Sequence, residues 1–148
     1  MSVTATTHLN FRGEAREALD FYAAAFDGRS TVTTYGDLGM PAGLPDTDSV
    51  VFGSVVAPNG FTVMAYDVPG TDTPRPVGTT RRENGTTITD EPFFVALGGD
   101  TLAEVTGPWE ALSVGASIVE PLAASAWSAG FGMLTDRFGV TWAVSVTG

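Results

Sequence analysis

The chain has 148 residues, with seven arginines, no lysine, 17 acids and no cysteine, and a net charge of −10. That charge repels a nucleic-acid backbone and an anionic membrane alike, and the missing cysteines exclude disulfide frameworks and thiolate zinc or iron–sulfur sites. No window approaches the roughly 20 apolar residues of a bilayer span, and the first residues lack the basic and apolar regions of a signal peptide. The expectation is a cytoplasmic, single-domain protein, long enough to bury its own core, with neither nucleic acid nor membrane as partner.

Val3 to Phe11 has strand composition. In "GEAREALDFYAAAFDG", Ala15, Ala18, Leu19, Tyr22 and Phe26 recur at helical spacing, with Gly28 placed to stop the helix. "RSTVTTYGD" reads as strand and "MPAGLPDTD" as loop, while "SVVFGSVVAPNGFTVMAYDV" is two apolar runs joined by the turn signal "PNG". The first half is thus strand, helix and three strands.

Residues 69–91, rich in Pro, Gly and Thr, read as a long connector between modules at 1–68 and 92–148. Its length favours a role as lid, partner wrap or mobile segment over a plain link. Arg75, Arg81 and Arg82 cluster there, either facing water or meeting an anion. "EPFFVALGGD" then reads as strand. Leu102, Val105, Trp109 and Leu112 mark one face of a helix that Pro108 kinks or restarts. "SIVEPL", "WSAGFGMLTD" and "VTWAVSV" supply three more strands, so the order of the first half recurs. "GFTVMA" (60–65) and "GVTWAV" (139–144) echo one another, each after a turn. The fold class is α+β: two tandem βαβββ modules whose curved mixed sheets enclose a cleft.

Leu9, Asn10 and Phe11 with Ala18, Leu19, Phe21 and Tyr22, and the run "WSAGFGMLTDRFGVTW" from Trp127 to Trp142, resemble the vicinal oxygen chelate superfamily of glyoxalases, bleomycin-resistance proteins and extradiol dioxygenases. The branch they resemble is the PhnB-like one, also labelled 3-demethylubiquinone methyltransferase-like. The likeness spans nearly the whole chain apart from 69–90. It implies the glyoxalase-like fold, commonly as a homodimer, and a divalent metal held by His or acid side chains from four strands. Carried over residue by residue, those positions fall on His8, on Val63 or Met64, on Phe94 (or Phe93), and on Thr135. Only His8 is a ligand suited to such an ion.

Asp67 and Asp136 are the acids nearest those positions. Asp136 opens "DRFG", which suits a type I turn, and Asp67 ends a strand where it can cap a turn. Alternation places His8, Asn10 and Arg12 on one wall of a cleft and Phe131, Met133 and Thr135 on another, with Phe94 between them. These seven are the candidate ligand-binding residues; the aromatic ones also suit a core. Arg12 either binds a carboxylate or phosphate, or pairs with Glu14 or Glu17. Trp127 and Trp142 are each large enough to anchor the fold, and Trp142, after the echo at Gly139 in a strand expected to pair on both sides, reads as mainly structural.

Three functions are open. The first is a binding protein for a small, partly apolar organic molecule, with no metal or other cofactor and no catalytic residue assigned. The second is a metal-dependent isomerase, dioxygenase or resistance transferase using His8 with Asp67 or Asp136. The third is an assembly domain whose cleft is filled by its own side chains.

Overall fold

The computed structural model describes residues 2–70, 73 and 75–147. The remaining positions of the expected connector, 71, 72 and 74, lie outside the described residues. The chain is an α+β fold of two similar units, dividing between Pro76 and Val77.

The first unit runs β1 (His8–Phe11), α1 (Ala15–Ala25), β2 (Arg29–Thr34), β3 (Val50–Val56) and β4 (Thr62–Asp67), with a short 3-10 turn at Gly36–Leu38. Its sheet has the order β1-β4-β3-β2, β1 running parallel to β4 and the other pairs antiparallel. β1 is shorter than its composition suggests: it is an edge strand with β4 as its one neighbour, and its pairing starts at His8 opposite Met64. Ala15, Ala18, Leu19 and Tyr22 are buried on α1 as their spacing predicts. They pack on the sheet face that carries Gly53, Val55, Val63, Ala65, Leu9 and Phe11. The helix closes on Phe26, and the left-handed residue after it is Asp27 (φ 53°), so Gly28 is not the stop.

The second unit contains β7 (Val95–Gly99), α2 (Leu102–Leu112), β8 (Ser117–Ala123), β9 (Phe131–Thr135) and β10 (Thr141–Val146), in the sheet order β7-β10-β9-β8. Pro108 neither ends nor restarts α2, which is one helix of 11 residues with the proline inside. Val95, Val105, Leu112, Leu134, Trp142 and Val144 form its core. Trp142 is fully buried, whereas Trp127 lies in the loop before β9 at 94% exposure and anchors nothing.

The echoed segments open equivalent strands. In one hairpin the Ala57 N–H donates to the Phe61 carbonyl and the Gly60 N–H to that of Ala57. In the other, Asp136 donates to Val140 and Gly139 to Asp136, and both glycines are left-handed (φ 94° and 85°). The type I signature read at Asp136 is thus one instance of a turn used twice.

The connector contains an element that composition concealed. β5 (Thr80–Glu83) and β6 (Thr86–Thr89) form a separate two-stranded antiparallel sheet, turning at Asn84 (φ 52°) and Gly85 (φ 78°). Two consecutive positive φ values are what a type I′ hairpin turn requires.

Gly132 explains one glycine of the "FGML" run. A Cβ there would stand 2.8 Å from the Cα of Leu122 and 3.0 Å from its backbone nitrogen, where β8 shifts register against β9. At Gly130 a Cβ instead meets side-chain ends, Val146 Cγ2 at 2.6 Å and Leu102 Cδ1 at 3.0 Å, which can move. Gly132→Ala should therefore cost about 1–3 kcal/mol in urea unfolding, and more than Gly130→Ala. Equal costs would mean that the backbone approach of β8 does not matter.

Candidate functional site

In the first unit, α1 covers one face of the sheet and leaves the other to the side chains that alternate with the core. Leu9 and Phe11 point to the helix, so His8 and Asn10 lie opposite and are exposed. The registers His8↔Met64↔Ser54 and Asn10↔Tyr66 extend this face across β4 to β3, where Phe52 is 56% exposed. His8 Nδ1 sits 3.0 Å from Asn10 Oδ1, and its ring meets that of Tyr66 edge-on with centroids 5.4 Å apart. An imidazole held this way can donate or accept a hydrogen bond beside an aromatic surface.

Arg12 does not continue this row, since β1 ends at Phe11 and the chain bends at Arg12. It forms no ion pair with Glu14 or Glu17 among the described residues. Tyr35 donates its hydroxyl to the Asp67 carbonyl at 2.9 Å. Burial, then the neighbouring Tyr66, Asp46 and Asp67, push its ionisation above the usual tyrosine range.

In the second unit Phe131, Met133 and Thr135 share the face of β9 away from α2, as alternation predicts. That face is not open along its length. The β5–β6 hairpin packs on it: Thr87 donates its hydroxyl to Met133 Sδ at 3.5 Å, and the Arg82 guanidinium lies 4.9 Å from the centroid of the Phe131 ring. Met133 is left 1% exposed. Thr135 shares a hydrogen bond of 2.8 Å with the Thr141 hydroxyl, and Phe94 is half-buried just before β7. The clustered arginines separate: Arg81 pairs with Glu83 at 2.7 Å, while Arg82 turns inward.

The residues available to a divalent metal do not fit one. Val63 faces α1 in the core and Met64 stands beside His8. Each acid near the inherited positions is occupied within its own unit. Asp67 Oδ1 accepts the N–H groups of Gly13 (2.8 Å) and Ala15 (3.0 Å), and its Oδ2 accepts that of Val50 (2.9 Å). Asp136 Oδ1 accepts Phe138 N–H (2.9 Å) and Val140 N–H (3.0 Å), and its Oδ2 accepts Trp142 Nε1–H (2.9 Å). Both acids are buried. Among the described residues no group of three or more His, Asp or Glu side chains converges.

Asp67 serves the start of α1. Glu14, at the N-cap, supplies no side-chain acceptor, and Asp67 from the end of β4 replaces it. In α2 the cap is local, with Thr101 and Glu104 forming a capping box.

No protein-family profile matches the chain. It is 30% identical over 132 residues to the uncharacterized protein Mb0911c of Mycobacterium bovis, covering 88% of this chain and 75% of that one. Among solved structures it resembles protein PA1353 from Pseudomonas aeruginosa, at 29% identity and TM-score 0.76 over 98% of each chain. The PhnB protein from Bacillus cereus matches at 24% identity and TM-score 0.67, over 98% of this chain and 100% of that one. A glyoxylase/bleomycin resistance protein/dioxygenase domain from Frankia matches at 15% and 0.62, over 100% and 93%. The last two likenesses concern the fold alone. No helix among the described residues is long and apolar enough to cross a membrane.

Proposed function

We propose that the chain, which belongs to one family with the uncharacterized protein Mb0911c and has the glyoxalase-like fold, is a PhnB-like member of the vicinal oxygen chelate superfamily and binds a small, partly apolar organic molecule without a metal. The observation that carries this reading is the uncovered sheet face of the first unit. Tyr66 lies against the His8–Asn10 pair and Phe52 follows one strand further on, on β3, a combination that offers apolar area and directional hydrogen bonds together. Occupation of Asp67 and Asp136 by three N–H donors each supports the metal-free part, since both carboxylates are buried and most of their acceptor sites are taken within their own unit. His8 then acts as a hydrogen-bonding group that orients the ligand. The setting proposed with it is a cytoplasmic homodimer.

Elemental analysis of the purified protein, with calorimetric titration of nickel, zinc, manganese and iron(II) into wild type and His8→Ala, should show no stoichiometric metal in either. A screen of aromatic fragments by NMR should shift resonances of His8, Asn10 and Tyr66, and His8→Ala or Tyr66→Ala should weaken binding about three- to tenfold. Stoichiometric metal lost in His8→Ala would replace this reading with a chelate mechanism.

A further inference from the structure

The hairpin that covers β9 carries a cation with no ion-pair partner among the described residues. Arg82 Nη1 donates to the Thr87 hydroxyl at 2.8 Å, and its plane lies near the Phe131 ring. Its Nε is buried with no hydrogen-bond partner, the one such side-chain atom among the described residues. Arg82 makes no ion pair among them either, although the chain has 17 acids to seven arginines and the adjacent Arg81 has found Glu83. Glu120, whose Cα stands opposite Met133, does not pair with it. A buried guanidinium N–H without an acceptor is costly, and the cost is larger for a charged group than for a neutral one. The missing partner has defined chemistry, because the guanidinium fork fits the two oxygens of a planar or tetrahedral oxyanion.

We propose that Arg82 is the anion-recognition residue of the second unit, binding a small molecule that carries a carboxylate or phosphate on an apolar body. The oxyanion takes the unpartnered Nε–H together with the Nη2 edge, and the apolar body lies against Phe131 and Met133. The hairpin can shift to admit it. β5 and β6 pair with each other and not with the sheet of β7 to β10, and a lone two-stranded hairpin is only marginally stable. A hydroxyl–thioether bond and one guanidinium–aromatic contact, both weak, hold it to β9, and β5 packs on β8 without pairing with it. This inference rests on the reading that the chain binds small organic molecules and adds, within the second unit, a site for one that is an acid.

The test uses benzoate, phenyl phosphate and the neutral benzamide against the intact chain. The seven arginine Nε–H resonances are followed by NMR, and that of Arg82 is assigned from its loss in Arg82→Lys. Benzoate or phenyl phosphate should shift the Arg82 resonance and bind about tenfold more tightly than benzamide, and Arg82→Met should abolish that preference. A carboxylate-only or phosphate-only response tells the two anions apart and upholds the assignment. Benzamide binding as well as benzoate, an Arg82 resonance that neither anion moves, or an unchanged preference in Arg82→Met would each overturn it. If Arg82→Met fails to fold, the wild-type resonance decides. Failure of the anions while neutral fragments still bind at His8 and Tyr66 removes Arg82 alone. Failure of every fragment removes the binding function too.

Discussion

Replacing Asp136 by alanine should lower stability by about 3 kcal/mol, a large share of what a domain of this size possesses. The carboxylate is 4% exposed and accepts two backbone N–H groups of its turn and the indole N–H of Trp142, itself fully buried. Hydrogen bonds to a charged acceptor are worth about 1.5–3 kcal/mol each, and relief of the buried charge offsets part of their sum. Asp136→Asn should cost about half as much, because one oxygen still serves the turn while the amide N–H₂ meets the indole donor to donor. In a Trp142→Phe background the alanine change should cost about 1–2 kcal/mol less, since one orphaned donor is gone. Urea unfolding followed by circular dichroism measures the wild type and the four variants. A cost within error of zero for Asp136→Ala would show the carboxylate to be free for other chemistry and reopen the metal question.

Asp67→Ala should be comparably damaging, at about 3 kcal/mol, with a different signature. Its three N–H donors come from the start of α1 and the start of β3, segments 54, 52 and 17 residues away in the chain. Hydrogen exchange should therefore accelerate first at the Gly13, Ala15 and Val50 amides. Thr101→Ala in α2, which removes an ordinary local cap, should cost about 1 kcal/mol. If the two substitutions cost the same, Asp67 is no more than a cap.

The order of elements was legible because periodicity is local: Leu9 and Phe11 facing in oblige His8 and Asn10 to face out, and Ala15 to Tyr22 declare one helical face. The β5–β6 hairpin was missed: Asn84-Gly85 between two short runs was its signal, but the surrounding Pro, Gly and Thr drew the whole stretch into one connector. Sequence set Trp142 apart from Trp127 only by its place in a strand expected to pair on both sides, as β10 does. What separates them is a buried acceptor for the indole of one and a loop position for the other, neither of which spacing reveals. Assigning Asp67 to the helix start required knowing which strand end α1 meets. The isolation of Arg82 required knowing what the hairpin covers.

The two helix starts differ in when they can be completed. α2 carries Thr101 and Glu104 beside its first turn, so the amides of those two residues are satisfied as soon as that turn forms. α1 waits for a carboxylate 52 residues beyond Ala15, delivered after β2, β3 and β4 have assembled. As the chain is synthesised, the first module's helix thus emerges long before the group that secures it, whereas the second module's helix brings its own. Two modules with one topology have acquired opposite dependences on chain closure, and the earlier-made one relies more on the rest of its unit.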